Sequence, residues 1–264
     1  MLVKHDQLCG QRARVRVDRP LARAATTAVL IVQSGRMAHF DQPGYEAELY
    51  ERLTGRLLSE GLAVVRFDIE RSVSMVRHSN ADKRAARTRR LREMVSKVPA
   101  LAGTTRLIFL GASLGALSVM DVLAREHLPG VAGALLIGCV LEEPQVVMSP
   151  LARLELLYGE RDCIVYVEAV GAFGQPIAPT QYAQLTLNNL VLLPSSEAGV
   201  HILAGAGHLL EGVGARSPNE HVLDLLVALI CRAADVSARS LASGGTDDVC
   251  RRFAFRPDRQ ELPL

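Results

Sequence analysis

Tryptophan is absent from this chain of 264 residues, and aromatic residues make up only 4% of it. Single-stranded nucleic acid is bound on aromatic stacking platforms, so that class of function is disfavoured. Lysine is scarce as well: of 30 cationic side chains only Lys4, Lys83 and Lys97 are lysine, and the rest are arginine. A large charge excess is also missing. The formal net charge is +2, without the concentrated basic footprint of a nucleic-acid binder. No apolar run approaches the roughly 20 residues that span a bilayer; stretches such as 134–140 are far shorter. The five cysteines, Cys9, Cys139, Cys163, Cys231 and Cys250, are odd in number and show no Cys-x-x-Cys spacing. A disulfide framework or structural zinc site is therefore not expected, and a reducing compartment is. The first residues, MLVKHDQLCG, lack the apolar segment of a signal peptide. The expectation is a soluble, cytoplasmic protein with no nucleic-acid and no membrane partner.

What is present is a globular composition, 49% hydrophobic and 22% charged. Residues 11–17 (QRARVRV) alternate arginine with apolar residues, the period of a half-buried strand. Residues 28–32 (AVLIV) are continuously apolar, as in a strand buried on both faces. Helical spacing follows over 45–59, closed by Gly61, and then a strand over 62–67. Residues 82–98 read as an amphipathic helix ended by Pro99 and Gly103, with Leu91, Met94, Val95 and Val98 inward and Lys83, Arg84, Arg87 and Arg90 on the surface. A strand over 106–110 precedes a helix over 114–125. Further strands are expected at 131–137, 154–158 and 200–203. A last helix runs over 218–234, opened by Ser217 as N-cap with Pro218 at N1. This alternation predicts an α/β fold, a mostly parallel central sheet with helices on both faces. One domain over 1–235 and a flexible tail over 236–264 are expected.

Gly111-Ala112-Ser113-Leu114-Gly115 is a G-x-S-x-G between a strand and a helix. In such an elbow the serine takes a strained conformation, and glycines are needed because the turn is crowded. The hydroxyl projects at the carboxyl edge of the sheet. The helix N-terminus offers the Leu114 N–H to an oxyanion. A bland alternative is a connecting turn rich in glycine and serine. A serine hydroxyl is a weak nucleophile and needs a base, which in turn needs an orienting acid. Asp162, after the strand 154–158, and His208, after 200–203, supply both in the order Ser…Asp…His. Asp68 and Glu160 are the competing acids. His201 reads as packed; His5, His127 and His221 read as surface residues; His39 and His78 lie on loops near the same edge.

With these residues in view the chain resembles the α/β-hydrolase superfamily over about residues 10–235. The resemblance rests on the elbow, on Gly159-Glu160-Arg161-Asp162 and on Gly205-Ala206-Gly207-His208. It implies a Ser113–His208–Asp162 triad that cleaves a carboxylic ester or thioester through an acyl-serine, with no metal and no cofactor. It places the second oxyanion donor in the loop after the strand 28–32. There Ser34-Gly35-Arg36-Met37 stands where the family commonly has His-Gly, and Arg36 N–H, or next Met37 N–H, is the positional equivalent. An acyltransferase or thioesterase with the same triad, acting on carrier- or coenzyme-A-bound acyl groups, is the alternative. A peptidase and a non-catalytic binding protein stand behind these.

Two spacings bear on specificity. The connection 139–153 is too short for a large lid. The connection 163–199 is long, and long loops are often functional. Either it places Phe173 to Tyr182 over an acyl pocket, or it is a surface helix with a connector. Met37, His39, Phe173 and Tyr182 are the candidate substrate contacts, for a small acyl substrate. The basic segment 83–92 (KRAARTRRLR) is either a solvated face or a docking surface for an acidic carrier protein or a coenzyme A phosphate.

Overall fold

Residues 2–8, 10–21, 24–69, 79–162, 178–193 and 196–235, with the backbone of 250–255, are described by the structure, a computed structural model. Strand β3 (Thr27–Val32) shows why the apolar runs form a sheet. Ala28, Leu30 and Val32 pack into one hydrophobic cluster, and Val29 and Ile31 into another on the opposite face. A strand buried on both sides reads as a largely apolar run, and a polar residue within it needs a partner. The parallel strands β4 (Ala63–Phe67), β5 (Arg106–Ala112), β6 (Val131–Ile137), β8 (Arg153–Gly159) and β10 (Glu197–Leu203) repeat this pattern. Their order in the sheet is β4-β3-β5-β6-β8-β10.

Helices α1 (Tyr45–Ser59) and α5 (Glu220–Ala233) cover one face. Helices α2 (Asn80–Ala102), α3 (Leu114–Arg125) and α4 (Pro179–Asn188) cover the other. Helix α1 ends as expected. Gly61, at φ 82°, lets its own N–H reach Leu58 O at 3.0 Å and the Leu62 N–H reach Leu57 O at 3.0 Å. The expected alternation over 11–17 is β2 (Gln11–Asp18), antiparallel to β4. Val15 and Val17 face the core, while Arg14 and Arg16 bind acids on the other side.

The structure corrects several expectations. Residues 2–8 form β1 (Leu2–Leu8), an antiparallel edge strand whose exposed, polar-rich pattern hid it. Helix α2 runs through Pro99 and stops at Gly103, which adopts φ 71°. Burial of Val98 and Ala102 keeps the last turn despite the lost N–H. The N-cap of α5 is Asn219, whose side-chain oxygen accepts from His221 N–H at 2.9 Å, not Ser217. The expected tail contains β11 (Cys250–Phe255), antiparallel to β10; the rest of 236–264 lies outside the described residues. Two short strands, β7 (Gln145–Val146) and β9 (Leu190–Val191), pair with each other beside the main sheet.

The largest correction concerns the basic segment 83–92. Arg87 and Arg90 are not on the surface; both are buried. Arg90 donates to Gln11 Oε1 at 2.9 Å, and Arg87 to four backbone carbonyls. Arg84 is paired with Asp121 at 2.6 Å. Helix α2 turns toward the sheet a face wide enough to include these guanidinium groups, because each finds hydrogen-bond acceptors there. Lys97 is tied to Asp6 of β1 at 2.9 Å.

Candidate active site

Parallel strands put their carboxyl ends on one edge, and the loops leaving β3, β5, β6, β8 and β10 gather there. Ser113 follows β5 and caps α3, with φ 52° and ψ −120°. A non-glycine residue in this region is strained, and the surroundings must hold it. The Ser113 N–H donates to Ile137 O at 2.8 Å, and Ser113 O accepts from Leu117 N–H at 3.1 Å. The flanking glycines are sterically required. A Cβ on Gly111 would come 2.8 Å from Ala116 Cα, and one on Gly115 would overlap the carbonyl oxygen of Val32. Leu114 is the first residue of α3, so its N–H has no acceptor within the helix.

Asp162 and His208 are brought together by neighbouring strands. Tyr158 lies beside Ile202 and Gly159 beside Leu203 in the β8–β10 register. The pairing continues into the loops through Glu160 N–H to Leu203 O and Arg161 N–H to Ala206 O, both 2.8 Å. Gly159 permits this approach, since a Cβ there would overlap the Gly207 carbonyl. His208 Nδ1 then lies 2.8 Å from Asp162 Oδ2, with the Asp162 side chain fully enclosed. A neutral imidazole that donates Nδ1–H to a carboxylate has its Nε2 lone pair free to act as a base. Nε2 is buried and has no hydrogen-bond partner among the described residues. The ring rests on Gly138, just after β6, where a Cβ would come 2.6 Å from His208 Cε1. Gly138 adjoins Ile137, the residue that holds the Ser113 N–H.

The competing acids are occupied elsewhere. Asp68 is bonded by Arg14 Nε at 2.7 Å, and His39 Nδ1 lies 3.5 Å from it. Glu160 accepts from Gly205 N–H at 2.8 Å and braces the loop that carries His208. His201 is buried and paired with Glu155 at 2.9 Å, as a packed histidine should be. Burial pushes the Cys139 thiol up to about 12 and the Cys231 thiol up to about 11. Neither is a thiolate nucleophile near neutral pH.

The loop 33–37 after β3 is held by hydrogen bonds of its own. Arg36 N–H is directed at Ser34 Oγ, 3.3 Å away, and Met37 N–H donates to Ser34 O at 3.2 Å. Ser34 N–H is also committed, to Glu46 Oε1 at 2.7 Å. Gly35 N–H alone in this turn has no acceptor among the described residues. Leu114 lies against it, for a Cβ on Gly35 would be 2.5 Å from Leu114 Cδ1. Met37 is nearly buried, and Tyr182 of α4 is wholly buried in the core, so neither side chain forms an open wall. Phe173, His78 and Cys163 lie outside the described residues. Sequence reasoning missed Glu46 and Arg87, buried charges that hold this loop. Their only signal was position, one in the first turn of a helix and one on a face read as solvent-exposed. No three His, Cys, Asp or Glu side chains among the described residues are grouped to hold a metal.

Comparison with known proteins agrees with this architecture. A dienelactone hydrolase from Anabaena variabilis is 16% identical, covers 88% of this chain and 95% of its own, and superposes with a TM-score of 0.60. An α/β serine hydrolase without a lid from Xanthomonas campestris is 15% identical over 90% of this chain and 96% of its own, at a TM-score of 0.55. A cold-adapted esterase from an Arctic intertidal metagenomic library is 14% identical over 86% and 92%, at 0.52. No protein-family model and no curated protein matches the sequence. The chain therefore has the α/β-hydrolase fold, and its structural neighbours over most of its length are α/β serine hydrolases. No described helix is long and apolar enough to cross a membrane.

Proposed function

We propose that the protein is a serine hydrolase that cleaves a carboxylic ester or thioester through an acyl-serine. The observation that carries this is the His208–Asp162 pair, 2.8 Å apart, with a buried and unpartnered Nε2 at the strand edge that also carries the strained Ser113. In this reading His208 Nε2 takes the hydroxyl proton as Ser113 Oγ attacks the acyl carbon. Asp162 keeps the ring in the required tautomer and stabilises the imidazolium. The carbonyl oxygen becomes an oxyanion held by Leu114 N–H and by an N–H of the loop 33–37. Since Arg36 N–H already faces Ser34 Oγ, we assign the second donor to Gly35. The imidazolium returns its proton to the leaving alcohol or thiol. Water, deprotonated by His208, then releases the acid and restores Ser113.

A fluorophosphonate probe and a panel of p-nitrophenyl esters test this. The wild type should be labelled and should turn over a short ester; Ser113→Ala should do neither. Labelling that persists in Ser113→Ala would overturn the assignment.

A further inference from the structure

The loop 33–37 is held by two charged side chains that the fold buries. Glu46, in the first turn of α1, accepts Ser34 N–H at 2.7 Å and Tyr50 O–H at 2.9 Å on Oε1, and Ser34 O–H at 2.5 Å on Oε2. From the other side Arg87 Nη2 donates to Ser34 O and Met37 O, both 2.7 Å, and Nε donates to Gln33 O at 3.3 Å. Both side chains are buried; burial pushes the Glu46 carboxyl up, against the hydrogen bonds from Ser34 and Tyr50 and the Arg87 charge. Burying a carboxylate and a guanidinium is costly, and apolar residues would fill the same space with less penalty. An ordinary βα connection needs no such pair. Here every backbone N–H from Ser34 to Met37 except that of Gly35 is tied down. Gly35 itself packs against the Leu114 side chain, where a Cβ would come 2.5 Å from Leu114 Cδ1.

We infer that Glu46 is a positioning residue of the oxyanion site: acting through Ser34, and braced by Arg87, it fixes the turn that leaves the Gly35 N–H free to receive the developing negative charge. This rests on the serine-hydrolase reading. Glu46 touches no reacting atom. Its effect lies in preorganisation, because a donor that must reorient during the reaction contributes less than one already in place. Such a residue acts on the transition state more than on the ground state, so its loss lowers kcat with little change in KM.

The test measures kcat and KM for p-nitrophenyl acetate, the fluorophosphonate labelling rate and thermal unfolding, in wild type, Ser113→Ala, Glu46→Gln, Ser34→Ala and the Glu46→Gln/Ser34→Ala double variant. Glu46→Gln keeps the size but takes away the second acceptor oxygen that Ser34 O–H uses. Its kcat should fall about 10- to 100-fold with KM within about threefold, and labelling should slow by the same factor as kcat/KM. Ser34→Ala, which removes only the hydroxyl, should give a fall in kcat of about tenfold. The double variant should be little worse than Glu46→Gln, as expected for two residues acting through one contact. If Glu46→Gln does not fold, Ser34→Ala decides alone. Folded variants with kcat within twofold of wild type, or a loss carried by KM, would overturn the positioning role while Ser113 dependence stood. A wild type that is neither labelled nor active, or a Ser113→Ala that stays active, would overturn the serine-hydrolase reading and this inference with it.

Discussion

Ser113 holds a backbone conformation that few serines adopt, and its neighbours show how the strain is contained. Gly111 and Gly115 leave no room for a Cβ, and Ile137 O fixes the Ser113 amide. Gly115→Ala would drive a methyl into the Val32 carbonyl, and backbone cannot swing away as a side chain can. The expected result is a lowered unfolding temperature together with lost ester turnover, read by thermal unfolding and a p-nitrophenyl assay on the same preparation. The acid assignment is equally open to measurement. Asp162→Asn should lower kcat about 10⁴-fold, because the ring then takes the wrong tautomer. Asp68→Asn should lower stability through the lost Arg14 contact and leave kcat within a fewfold. Reversal of these two outcomes would transfer the acid role to Asp68.

Helix α2 is where sequence pattern and structure part most clearly. Its stripe of Leu91, Met94 and Val98 is legible from spacing, and all three are buried. Arg87 and Arg90 are not legible, because a charge on a helix is ordinarily a solvated charge. Acceptors from other elements, the carbonyls of a distant loop and the side chain of Gln11, help make their burial favourable. Strand β1 was hidden for the converse reason: an edge strand facing water carries no apolar period. The placement of Ser113, Asp162 and His208 at strand ends was legible, since strand, turn and helix signals surround each. The loop 33–37 was not, since its geometry depends on Glu46 and Arg87, which come from other elements. Arg87→Met should destabilise the fold by about 3–5 kcal/mol in denaturant unfolding, as removal of one partner from a buried charge network does. A change below about 1 kcal/mol would return Arg87 to the solvated face.

Among the described residues, many of the arginines are paired with acids of the same fold. Arg14 and Arg16 brace β2, Arg66 reaches Glu51, Arg56 binds Glu220 and Asp224, and Arg153 binds Glu155 and Glu197. The planar guanidinium can hold two acceptors at once, which an ammonium does less well. The network sets an acid limit. Hydrogen bonds from Arg16, and then from Arg66, hold the Glu51 carboxyl down at about 2, from an ordinary value of 4.5. A lowered carboxyl pKa contributes stability that is present above 4.5 and is lost as pH falls toward 2. Glu51→Gln should unfold at a lower temperature than wild type at pH 7, and the gap should close between pH 4.5 and 2. A gap independent of pH would show that the charge of Glu51 contributes nothing.

The three lysines have a practical consequence. Lys4 lies in β1, and Lys83 and Lys97 lie in α2, which packs on that strand through the Lys97–Asp6 pair. Reagents that acylate side-chain amines therefore find their targets on a single flank. A protein fixed to an amine-reactive bead through these lysines will be held by β1 or α2, whereas β8 and β10 lie toward the other end of the sheet.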